Sequence, residues 1–497
     1  MKNLAQKKVL VLGLGASGLA LARWCGRWGA LVTVADTRSA PPRLQALRTS
    51  VPEASFIHAT LDKDLLETAA FDLILKSPGL SPASIEGLTA AAHTAGIACS
   101  NELGLFAQAL EELRDAKSYT PQVIGITGTN GKTTVSSLTA QLVLRAGKSV
   151  ALAGNIGPTL LDTLAEKIDE QNLPEVWVLE LSSFQLDGVS NFEPSAATVL
   201  NVTQDHLDWH GTLPAYAAAK TRIYGKSGLM LLNRDDATVM AALPPLVKGK
   251  QLRNYLTFGH DEPQRPGDYG IQTVNGMAWL VRATQADETI KRRKNEEVVL
   301  HIQRLMPLEA LRIRGRHNAT NALVALGLAV ASGCTLAPML HGLREYRGEP
   351  HRVEAIAVVQ DVEFFDDSKG TNVGATVAAL AGLGAERKLV VILGGEGKGQ
   401  DFSLLAEPVA RYARAVVLIG RDAPHIRFAL KSSLVPLLDA SSMQEAVSLA
   451  AGQACAGDAV LMSPACASFD MFDNYEHRAQ VFCEAVRALA EDQGMVL

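Results

Sequence analysis

A short glycine-rich loop carries the residue types that bind phosphate groups. The segment from Gly128 to Thr133 reads G-T-N-G-K-T, follows the apolar run 123–127 and opens a helix-like segment. Backbone N–H groups of such a loop can surround phosphate oxygens, Lys132 can add positive charge, and the Thr133 hydroxyl can bind Mg²⁺. Ile126 stands where the standard phosphate loop has its first glycine, so the strict motif fails. The flanking strand and helix nevertheless favour nucleotide binding over an incidental glycine-rich turn.

An acid, two histidines and a lysine could add metal chemistry. Glu180 ends an apolar run, where a carboxylate beside a phosphate loop can hold Mg²⁺; an exposed strand-end acid explains Glu180 alone at least as well. His206 and His210 have the i,i+4 spacing of some zinc sites, but no third soft ligand is evident. His206 in an oxygen-rich Mg²⁺ site, with a structural His210, is the better interpretation. Lys220 lies in a helix-like segment, where composition alone favours an ordinary solvated side chain.

A second glycine motif lies near the N-terminus. Gly13, Gly15 and Gly18 follow a strand-like run and open a helix-like segment, and Asp36 ends the next strand-like run. This is the layout of dinucleotide-binding sites, in which glycines allow close approach of a phosphate to a helix N-terminus. A tight strand-to-helix turn that binds nothing explains the pattern equally well. The motif does not indicate which nucleotide would bind.

Three polar loops in the last third of the chain each follow an apolar, strand-like run. They are 367–372, 394–399 and 463–470. Because open α/β sheets bind ligands at the carboxyl ends of their strands, these loops are expected to meet at one site. Their lysines and hydroxyls predict an anionic ligand such as a carboxylate. Cys466 has no partner histidine and is interpreted as a small structural thiol rather than a nucleophile.

Strand-like runs alternate with helix-like segments along the chain, which predicts an α/β fold with parallel sheets. The predicted strands are 8–12, 31–35, 72–75, 123–127, 176–181, 197–202, 362–365, 389–393, 415–419 and 459–462. A chain of 497 residues is too long for one hydrophobic core, so three domains are predicted, with a polar connection near 113–121. The predicted domains are residues 1–115, 116–348 and 349–497. The charged segment 259–297 is expected to form a variable excursion of strands and loops.

Composition narrows the classes of function. The formal net charge of −5 argues against nucleic-acid binding, which normally needs a basic surface. The six cysteines are scattered without a C-x-x-C pair, which predicts reduced thiols in a cytoplasmic protein. The apolar run 9–22 superficially resembles a signal peptide, but its glycines favour a strand, a turn and a helix. No stretch is apolar and long enough to predict membrane insertion.

Taken together and in order, these segments resemble the Mur ligase family over essentially the whole chain. The segments that carry the resemblance are 128–133, 154–157, 180–186, 201–208, 219–220, 350–352, 367–372 and 463–468. The resemblance implies a Rossmann-like first domain, a central P-loop mononucleotide-binding ATPase domain and a Rossmann-like third domain. It also implies a cytoplasmic, monomeric, ATP-dependent ligase of peptidoglycan precursor synthesis whose substrates are UDP-N-acetylmuramoyl-L-alanine and D-glutamate.

The resemblance also assigns binding residues. Residues expected to hold the nucleotide-sugar substrate are Gly15, Ala16, Ser17, Asp36, Thr37, Arg38, Gly79, Asn155 and Ser182. Residues expected to bind ATP are Gly128, Thr129, Asn130, Gly131, Lys132, Thr133, Thr134, Asn318, Asn321, Arg352 and Asp367. Residues expected to surround D-glutamate are Lys369, Thr371, Lys398, Ser468 and Tyr475.

Catalysis and metal binding are implied for a smaller set. Lys132, Glu180, His206 and Lys220 are expected to be catalytic. Two Mg²⁺ ions are expected, one held by Thr133 and Glu180 and the other by His206 and Lys220. Lys220 would carry a carbamate formed from CO₂, which turns its cation into an anionic oxygen ligand. His206 would also contact the nucleotide-sugar substrate.

Two features depart from the family pattern. Tyr475 stands where phenylalanine is expected, which could change a contact to D-glutamate. The segment 259–297 is longer than is typical and is expected to be peripheral.

Other functions compete with this prediction. Another ligase of the same family, or a folylpolyglutamate synthetase, would share most of these residues; the 463–468 loop with Lys398 favours glutamate, and no Asp-Asn-Pro-Arg motif of diaminopimelate- or lysine-adding enzymes is present. A dinucleotide-dependent dehydrogenase would leave the Lys132 loop unexplained. A non-catalytic nucleotide-binding regulator would be expected to lack Lys132, Glu180 or Lys220.

Overall fold

Alternating strands and helices build three mostly parallel sheets and one small antiparallel sheet. The computed structural model describes residues 3–67, 69–286, 299–385 and 387–495. Three units, each built on one of the larger sheets, are named here by their residues: the first unit (3–117), the central unit (118–349) and the third unit (350–495). The predicted limits of the three domains stay a prediction.

The first unit contains a five-stranded parallel sheet. Its elements are β1 (Lys8–Leu12), α1 (Ala16–Arg27), β2 (Leu31–Asp36), α2 (Leu44–Ser50), β3 (Ser55–His58), β4 (Leu73–Lys76), α3 (Glu86–Thr94), β5 (Ala98–Asn101) and α4 (Glu102–Lys117). The strand order is β3-β2-β1-β4-β5. Val9 and Val11 of β1 enter one core cluster and Leu10 and Leu12 another, because helices bury both faces of a parallel sheet.

The central unit has a six-stranded parallel sheet in the strand order β11-β10-β9-β6-β8-β7. Its elements are β6 (Gln122–Thr127), α5 (Lys132–Arg145), β7 (Val150–Gly154), α6 (Leu160–Asp169), β8 (Val176–Glu180), α7 (Ser183–Leu186), β9 (Ala196–Val199), α8 (Leu207–His210), α9 (Leu213–Thr221), β10 (Leu229–Asn233), α10 (Ala237–Met240), β11 (Tyr255–Phe258), β12 (Tyr269–Val274), β13 (Met277–Gln285), β14 (Leu300–Pro307), α11 (Arg316–Ala331) and α12 (Leu336–Glu345). Strands β12, β13 and β14 form the separate antiparallel sheet. Every residue of β8 is buried, so both faces of the main sheet are covered.

The third unit has a six-stranded sheet in the order β15-β16-β20-β17-β18-β19, in which only β15 runs antiparallel to its neighbour. Its elements are β15 (Glu354–Val359), β16 (Val362–Asp366), α13 (Val373–Gly384), β17 (Leu389–Gly394), α14 (Ala406–Tyr412), β18 (Ala413–Ile419), α15 (Ala423–Ala429), β19 (Leu437–Asp439), α16 (Met443–Gln453), β20 (Ala459–Met462) and α17 (Tyr475–Asp492). Alternate residues of β17 enter two different core clusters, so this sheet is also covered on both faces.

The strands predicted from the sequence are confirmed, with small shifts at their ends. The prediction of a polar connection at 113–121 is wrong for residues 113–117, which are helical. α4 continues to Lys117 because Leu113 still packs against the core, and the helix ends where Ser118 takes a left-handed conformation (φ 55°). Of the excursion expected at 259–297, the described part leads into the β12–β14 sheet, and residues 287–297 lie outside the described residues.

The first and central units share a buried face. The rings of Phe106 and Trp177 meet edge-on at 5.2 Å between centroids. Glu102, at the start of α4, accepts a hydrogen bond from the backbone N–H of Leu161 (3.1 Å), and burial raises the pKa of Glu102 to about 7. These contacts fix the first sheet against the central one. None of the described helices combines the length and the apolar character needed to cross a membrane.

Candidate functional site

Loops at the carboxyl ends of the central and third sheets line one cleft of about 420 Å³. A parallel sheet places its ligands at this edge, and the volume suits a small-molecule ligand. Predicted site residues that line the cleft are Thr129, Asn130, Gly131, Lys132, Thr133, Thr134, Asn155, Glu180, His206, Asn318, Asn321, Arg352, Asp367, Lys369, Thr371 and Lys398. Most residues predicted for ATP, metal and amino-acid binding are thus brought together from two units, whereas Gly128, Lys220, Ser468 and Tyr475 are not among the lining residues.

The phosphate loop has the backbone that its glycines predict. Gly131 takes φ 84° and forms the N-cap of α5, so backbone N–H groups at the start of this helix point toward the cleft. Gly128 takes φ 158°, and a Cβ there would lie 2.9 Å from the Leu200 Cβ. The Lys132 Nζ donates to the carbonyl oxygens of Gly128 and Thr129, both at 2.9 Å. Burial lowers the pKa of Lys132, which nearby Glu180 partly opposes.

The nucleotide residues predicted outside the loop lie on both sides of it. Asn321 donates to Asn318 at 3.1 Å on α11, and both line the cleft. Arg352, from the third unit, donates to the Thr133 hydroxyl at 2.6 Å. Asp367 accepts a hydrogen bond from the Ser463 hydroxyl at 2.6 Å, and burial raises the pKa of Asp367 to about 7. A cation and an ionisable acid of the third unit therefore face the phosphate loop.

Glu180 has the surroundings of a metal ligand rather than of an exposed strand-end acid. Its Oε1 accepts a hydrogen bond from Asn155 at 2.9 Å. Its Oε2 is buried and has no hydrogen-bond partner among the described residues. A buried carboxylate oxygen without a partner is costly, and a cation at that oxygen would offset the cost. The residues present therefore fit a bound Mg²⁺.

Lys220 does not have the solvated side chain that composition alone favours. It is 1% exposed, so the prediction of a solvated helix lysine is wrong. Its Nζ donates to the carbonyl oxygen of Gly128 at 2.9 Å and lies 4.3 Å from the centre of the Tyr216 ring. Burial lowers the pKa of Lys220 well below its usual range, and the nearby Lys132 cation lowers it further. α9 thus places this amine directly behind the phosphate loop.

His206 and His210 have different surroundings. His206 lines the cleft at the start of α8 with φ 53°, and its ring meets Phe184 edge-on at 4.7 Å between centroids. Burial lowers the pKa of His206, although Asp205 opposes the shift. The His210 Nε2 lies 2.9 Å from the Ser183 hydroxyl, and burial lowers the pKa of His210 to about 4. His210 is therefore neutral and braced by α7, in keeping with the structural role expected for it.

The residues predicted for D-glutamate form a second group at one side of the cleft. The Lys369 Nζ lies 3.6 Å from the centre of the Tyr475 ring, and burial lowers the pKa of Lys369 to about 8. Lys398 lies in a left-handed conformation (φ 49°) after β17, with its Nζ 5.8 Å from the Phe469 ring centre. Ser468 is buried at the adjacent loop and does not line the cleft. Two lysines at such a position suit a dianionic amino acid.

Cys466 lies in the same loop as Ser468 and is fully buried. Burial raises the pKa of its thiol far above the usual range, so the thiolate is disfavoured. This supports the structural role expected for Cys466 rather than a nucleophilic one.

Replacement of Tyr475 tests the departure from the family pattern. Tyr475→Phe keeps the ring over Lys369, so we expect the KM for D-glutamate to change by less than about threefold. Tyr475→Leu removes a cation–π contact of roughly 1–2 kcal/mol at a partly buried site, so we expect about a tenfold rise in that KM. Steady-state kinetics at varied D-glutamate measures both. Equal effects of the two substitutions would contradict a role for the ring.

The residues predicted for the nucleotide-sugar substrate lie mainly outside this cleft. Gly15, Ala16, Thr37, Arg38 and Gly79 are exposed, and Ser17 is half-buried, at the carboxyl ends of β1, β2 and β4. Ser182 lies at the start of α7, where its hydroxyl caps the helix, and is likewise outside the cleft lining. A substrate held by both groups of residues would have to extend from the first sheet to the phosphate loop.

The first glycine motif is tightly built. A Cβ at Gly18 would lie 2.0 Å from the carbonyl oxygen of Gly13, so only glycine lets α1 approach β1. Asp36 is buried and accepts hydrogen bonds from the backbone N–H of Leu14 at 2.7 Å and from the Arg38 side chain at 2.8 Å. The Arg38 guanidinium is the main cause that lowers the pKa of Asp36 to about 2. This carboxylate orders the loops at the strand ends.

Several cleft residues received no role from the sequence. They are Gln204, Asp205, Asp208, His317, Asn372 and Gln400. Asp205 is the most relevant, because its charge opposes the lowering by burial of the pKa of Lys132, His206 and Lys220. Its position directly before His206 was the available signal in the sequence.

Comparisons with known proteins cover all three units. Family models match at residues 7–99 (Mur ligase MurD-like, N-terminal domain), 126–329 (Mur ligase middle domain) and 351–466 (Mur ligase, glutamate ligase domain). The chain is 65% identical to a UDP-N-acetylmuramoylalanine–D-glutamate ligase of Albidiferax ferrireducens, with 99% of this chain and 98% of that one covered. It is 60% identical to a protein of the same name from a Polaromonas species, with both chains covered completely.

Solved structures share the fold at low sequence identity. A MurF ligase of Thermotoga maritima, solved in complex with ADP, matches with a TM-score of 0.57 at 15% identity, covering 99% of this chain and 97% of that chain. The UDP-N-acetylmuramate–alanine ligase of the same organism matches with a TM-score of 0.53 at 18% identity, covering 97% and 100%.

The three successive family models and the full-length identity agree with a cleft lined by residues from two units. The chain therefore belongs to the Mur ligase family.

Proposed function

We propose that the chain is an ATP-dependent ligase that joins D-glutamate to UDP-N-acetylmuramoyl-L-alanine and releases ADP and phosphate. The full-length identity of 60–65% to relatives that carry this name is the observation that supports it most. The reaction belongs to peptidoglycan precursor synthesis, and we propose a cytoplasmic location and a monomeric state.

ATP binding is proposed at the phosphate loop. Lys132 and the N-terminus of α5 would bind the phosphates, with Arg352 approaching from the third unit. In this structure Lys132 and Arg352 donate hydrogen bonds to oxygens of the loop itself. On ATP binding, the two side chains would donate to phosphate oxygens instead. Asn318, Asn321 and Asp367 would position the rest of the nucleotide. The ADP in the MurF ligase of the same fold supports nucleotide binding by this architecture.

Two Mg²⁺ sites are proposed at the edge of the phosphate loop. Thr133 and the unpartnered oxygen of Glu180 would hold one ion, and His206 with Lys220 the other. When bound, Mg²⁺ neutralises the charge that develops on the transferred phosphoryl group. Lys132 adds to the same effect from inside the loop.

The surroundings of Lys220 support the proposed carbamate. An amine must be neutral to attack CO₂, and burial beside Lys132 shifts Lys220 toward its neutral form. The lone pair of Nζ forms the N–C bond and one proton leaves, which yields an anionic oxygen ligand in place of a cation. The exchange also removes an unfavourable pair of neighbouring cations, Lys132 and Lys220.

The proposed reaction has two steps. A carboxylate oxygen of the nucleotide sugar attacks the γ-phosphorus, the bridging P–O bond to the β-phosphate breaks, and ADP leaves. The amine of D-glutamate then attacks the acyl carbon, the C–O bond to phosphate breaks, and the amine loses a proton. Lys369, whose pKa lies at about 8, and Lys398 would hold the carboxylates of D-glutamate. Enclosure between two units would keep water from the acyl phosphate.

Phosphate release tests this function directly. Purified protein with UDP-N-acetylmuramoyl-L-alanine, ATP and Mg²⁺ is expected to release phosphate only when D-glutamate is added, and not with L-glutamate or other amino acids. Lys132→Ala is the negative control, because it removes the charge at the phosphates. A lack of stimulation by D-glutamate would contradict the assignment of substrate.

A further inference from the structure

A reciprocal pair of side-chain amides joins the phosphate loop to the third unit. Asn130 Nδ2 donates to Asn372 Oδ1 at 3.2 Å, and Asn372 Nδ2 donates to Asn130 Oδ1 at 3.0 Å. Asn130 lies two residues before Lys132, and Asn372 ends the polar loop that contains Lys369 and Thr371. The pair therefore spans the two halves of the cleft, which are otherwise far apart in the chain.

Each residue of the pair is anchored within its own unit. The backbone N–H of Asn130 donates to Asn201 Oδ1 at 2.9 Å, and Asn201 Nδ2 donates back to the Asn130 carbonyl at 3.1 Å. Asn372 caps α13, because its Oδ1 also accepts from the backbone N–H of Ala375 at 2.9 Å. Since Asn130 is anchored through its backbone and Asn372 through its side chain, the pair can transmit the position of one unit to the other.

A glycine provides the clearance that this approach needs. A Cβ at Gly374, in the first turn of α13, would lie 2.8 Å from the Thr203 hydroxyl and 3.3 Å from Asn130 Nδ2. The Thr203 Oγ1 is buried, so it has little room to move away from such a Cβ. A larger residue at 374 would separate the two units at the phosphate loop.

We propose that the Asn130–Asn372 pair, with Gly374 as its clearance, is a positioning contact that docks the third unit onto the phosphate loop. Lys369 would hold D-glutamate by a carboxylate, and the acyl carbon would lie beside the phosphate loop. Docking would therefore set the distance between the amine of D-glutamate and the acyl carbon. Misplacement by about 1 Å is enough to slow such a reaction about a hundredfold. This inference rests on the proposed function for the identity of the two substrates.

Two substitutions separate docking from folding. Asn372→Ser keeps a good helix cap without charge but is too short to reach Asn130. Gly374→Ala raises the helix propensity of α13 and adds only a methyl group at the interface. Gly452→Ala is the matched control, because it adds the same methyl group in α16 with no heavy atom within 4 Å.

Small-angle X-ray scattering and steady-state kinetics of the full chain give the readouts. With Mg²⁺ and a non-hydrolysable ATP analogue, wild type and Gly452→Ala are expected to show the radius of gyration of the docked structure, and the two interface variants a larger one. Both interface variants are expected to lose about tenfold in kcat, with the KM for the nucleotide sugar unchanged, because overpacking and lost hydrogen bonds cost on this order. Melting temperatures within a few degrees of wild type would show that folding is intact.

A radius of gyration and a turnover of both interface variants at wild-type levels would overturn the proposal. An equal rise in the KM of all three substrates would also overturn it, because that pattern indicates general damage. The scattering measurement uses only the ATP analogue and no amino acid. Its result therefore does not depend on whether D-glutamate is the substrate. Failure of wild type to release phosphate with D-glutamate would instead count against the proposed function.

Discussion

Lys220→Ala is expected to lower kcat by roughly a thousandfold or more, because it removes a proposed anionic metal ligand behind the phosphate loop. Lys220→Arg is expected to be equally inactive, since a guanidinium keeps its positive charge and forms no carbamate. Turnover is measured as ADP and phosphate released in the presence of all three substrates.

Chemical rescue distinguishes a lost ligand from lost folding. A short carboxylic acid such as formate or acetate is expected to restore part of the activity of Lys220→Ala, and none of the activity of Lys220→Arg, because only alanine leaves room for the anion. High bicarbonate is a second candidate for rescue. Lys148→Ala is the matched control, since Lys148 also donates to a carbonyl oxygen of the central unit, that of Ser332 at 2.6 Å, but lies outside the cleft lining. Full activity of Lys220→Ala without any additive would remove the carbamate from the proposal.

The phosphate loop and the strand-end acid could be predicted because their signals are local. Apolar strands with turn residues at their ends mark the carboxyl edge of a parallel sheet, and polar side chains there meet at one site. The absence of the first motif glycine, where Ile126 stands, did not prevent this prediction, since Gly128 and Gly131 supply the unusual backbone angles. The strands that were not predicted lie mainly at sheet edges. β3 and β5 are short and partly exposed, so they lack the apolar runs of buried strands.

Other parts of the site depend on contacts distant in sequence. Composition indicates a solvated Lys220, and only the approach of α9 to Gly128 shows that the side chain is buried. Asn372 was visible as part of a polar loop, but its partner Asn130 lies 242 residues away. The burial of an ionisable group and the contacts between units both arise from the packing of whole sheets. Neither leaves a local pattern in the chain.

Arg478 is a further case, because the sequence places it within an ordinary helix while the structure buries it. It is 1% exposed on α17. Its guanidinium donates to the hydroxyl and the carbonyl oxygen of Ser368, at 3.0 and 2.8 Å, and to the carbonyl oxygen of Cys466 at 3.1 Å. These acceptors lie in the two loops that contain Lys369 and Ser468. Burial lowers the pKa of Arg478 to about 10, so its charge is held at a cost to stability.

Arg478→Met is therefore expected to disturb both loops at once. It leaves three buried acceptors without donors, at about 1–3 kcal/mol each. For a unit of this size, a loss of roughly 3 kcal/mol lowers the melting temperature by about 10 °C. We expect kcat/KM for D-glutamate to fall about a hundredfold, because Lys369 and Ser468 lose their fixed positions.

The control for Arg478 is an arginine of the same unit that is paired at its surface. Arg427→Met removes the ion pair with Asp439, and an exposed pair of this kind contributes about 1 kcal/mol or less. Differential scanning calorimetry measures the melting temperature of both variants. Steady-state kinetics, at a temperature below the lower of the two melting temperatures, measures kcat/KM for D-glutamate. Arg478→Lys is expected to recover only part of the lost activity, because an ammonium group cannot reach both loops with fixed geometry. A kcat/KM for Arg478→Met equal to that for Arg427→Met would show that the two loops hold their positions without the buried guanidinium.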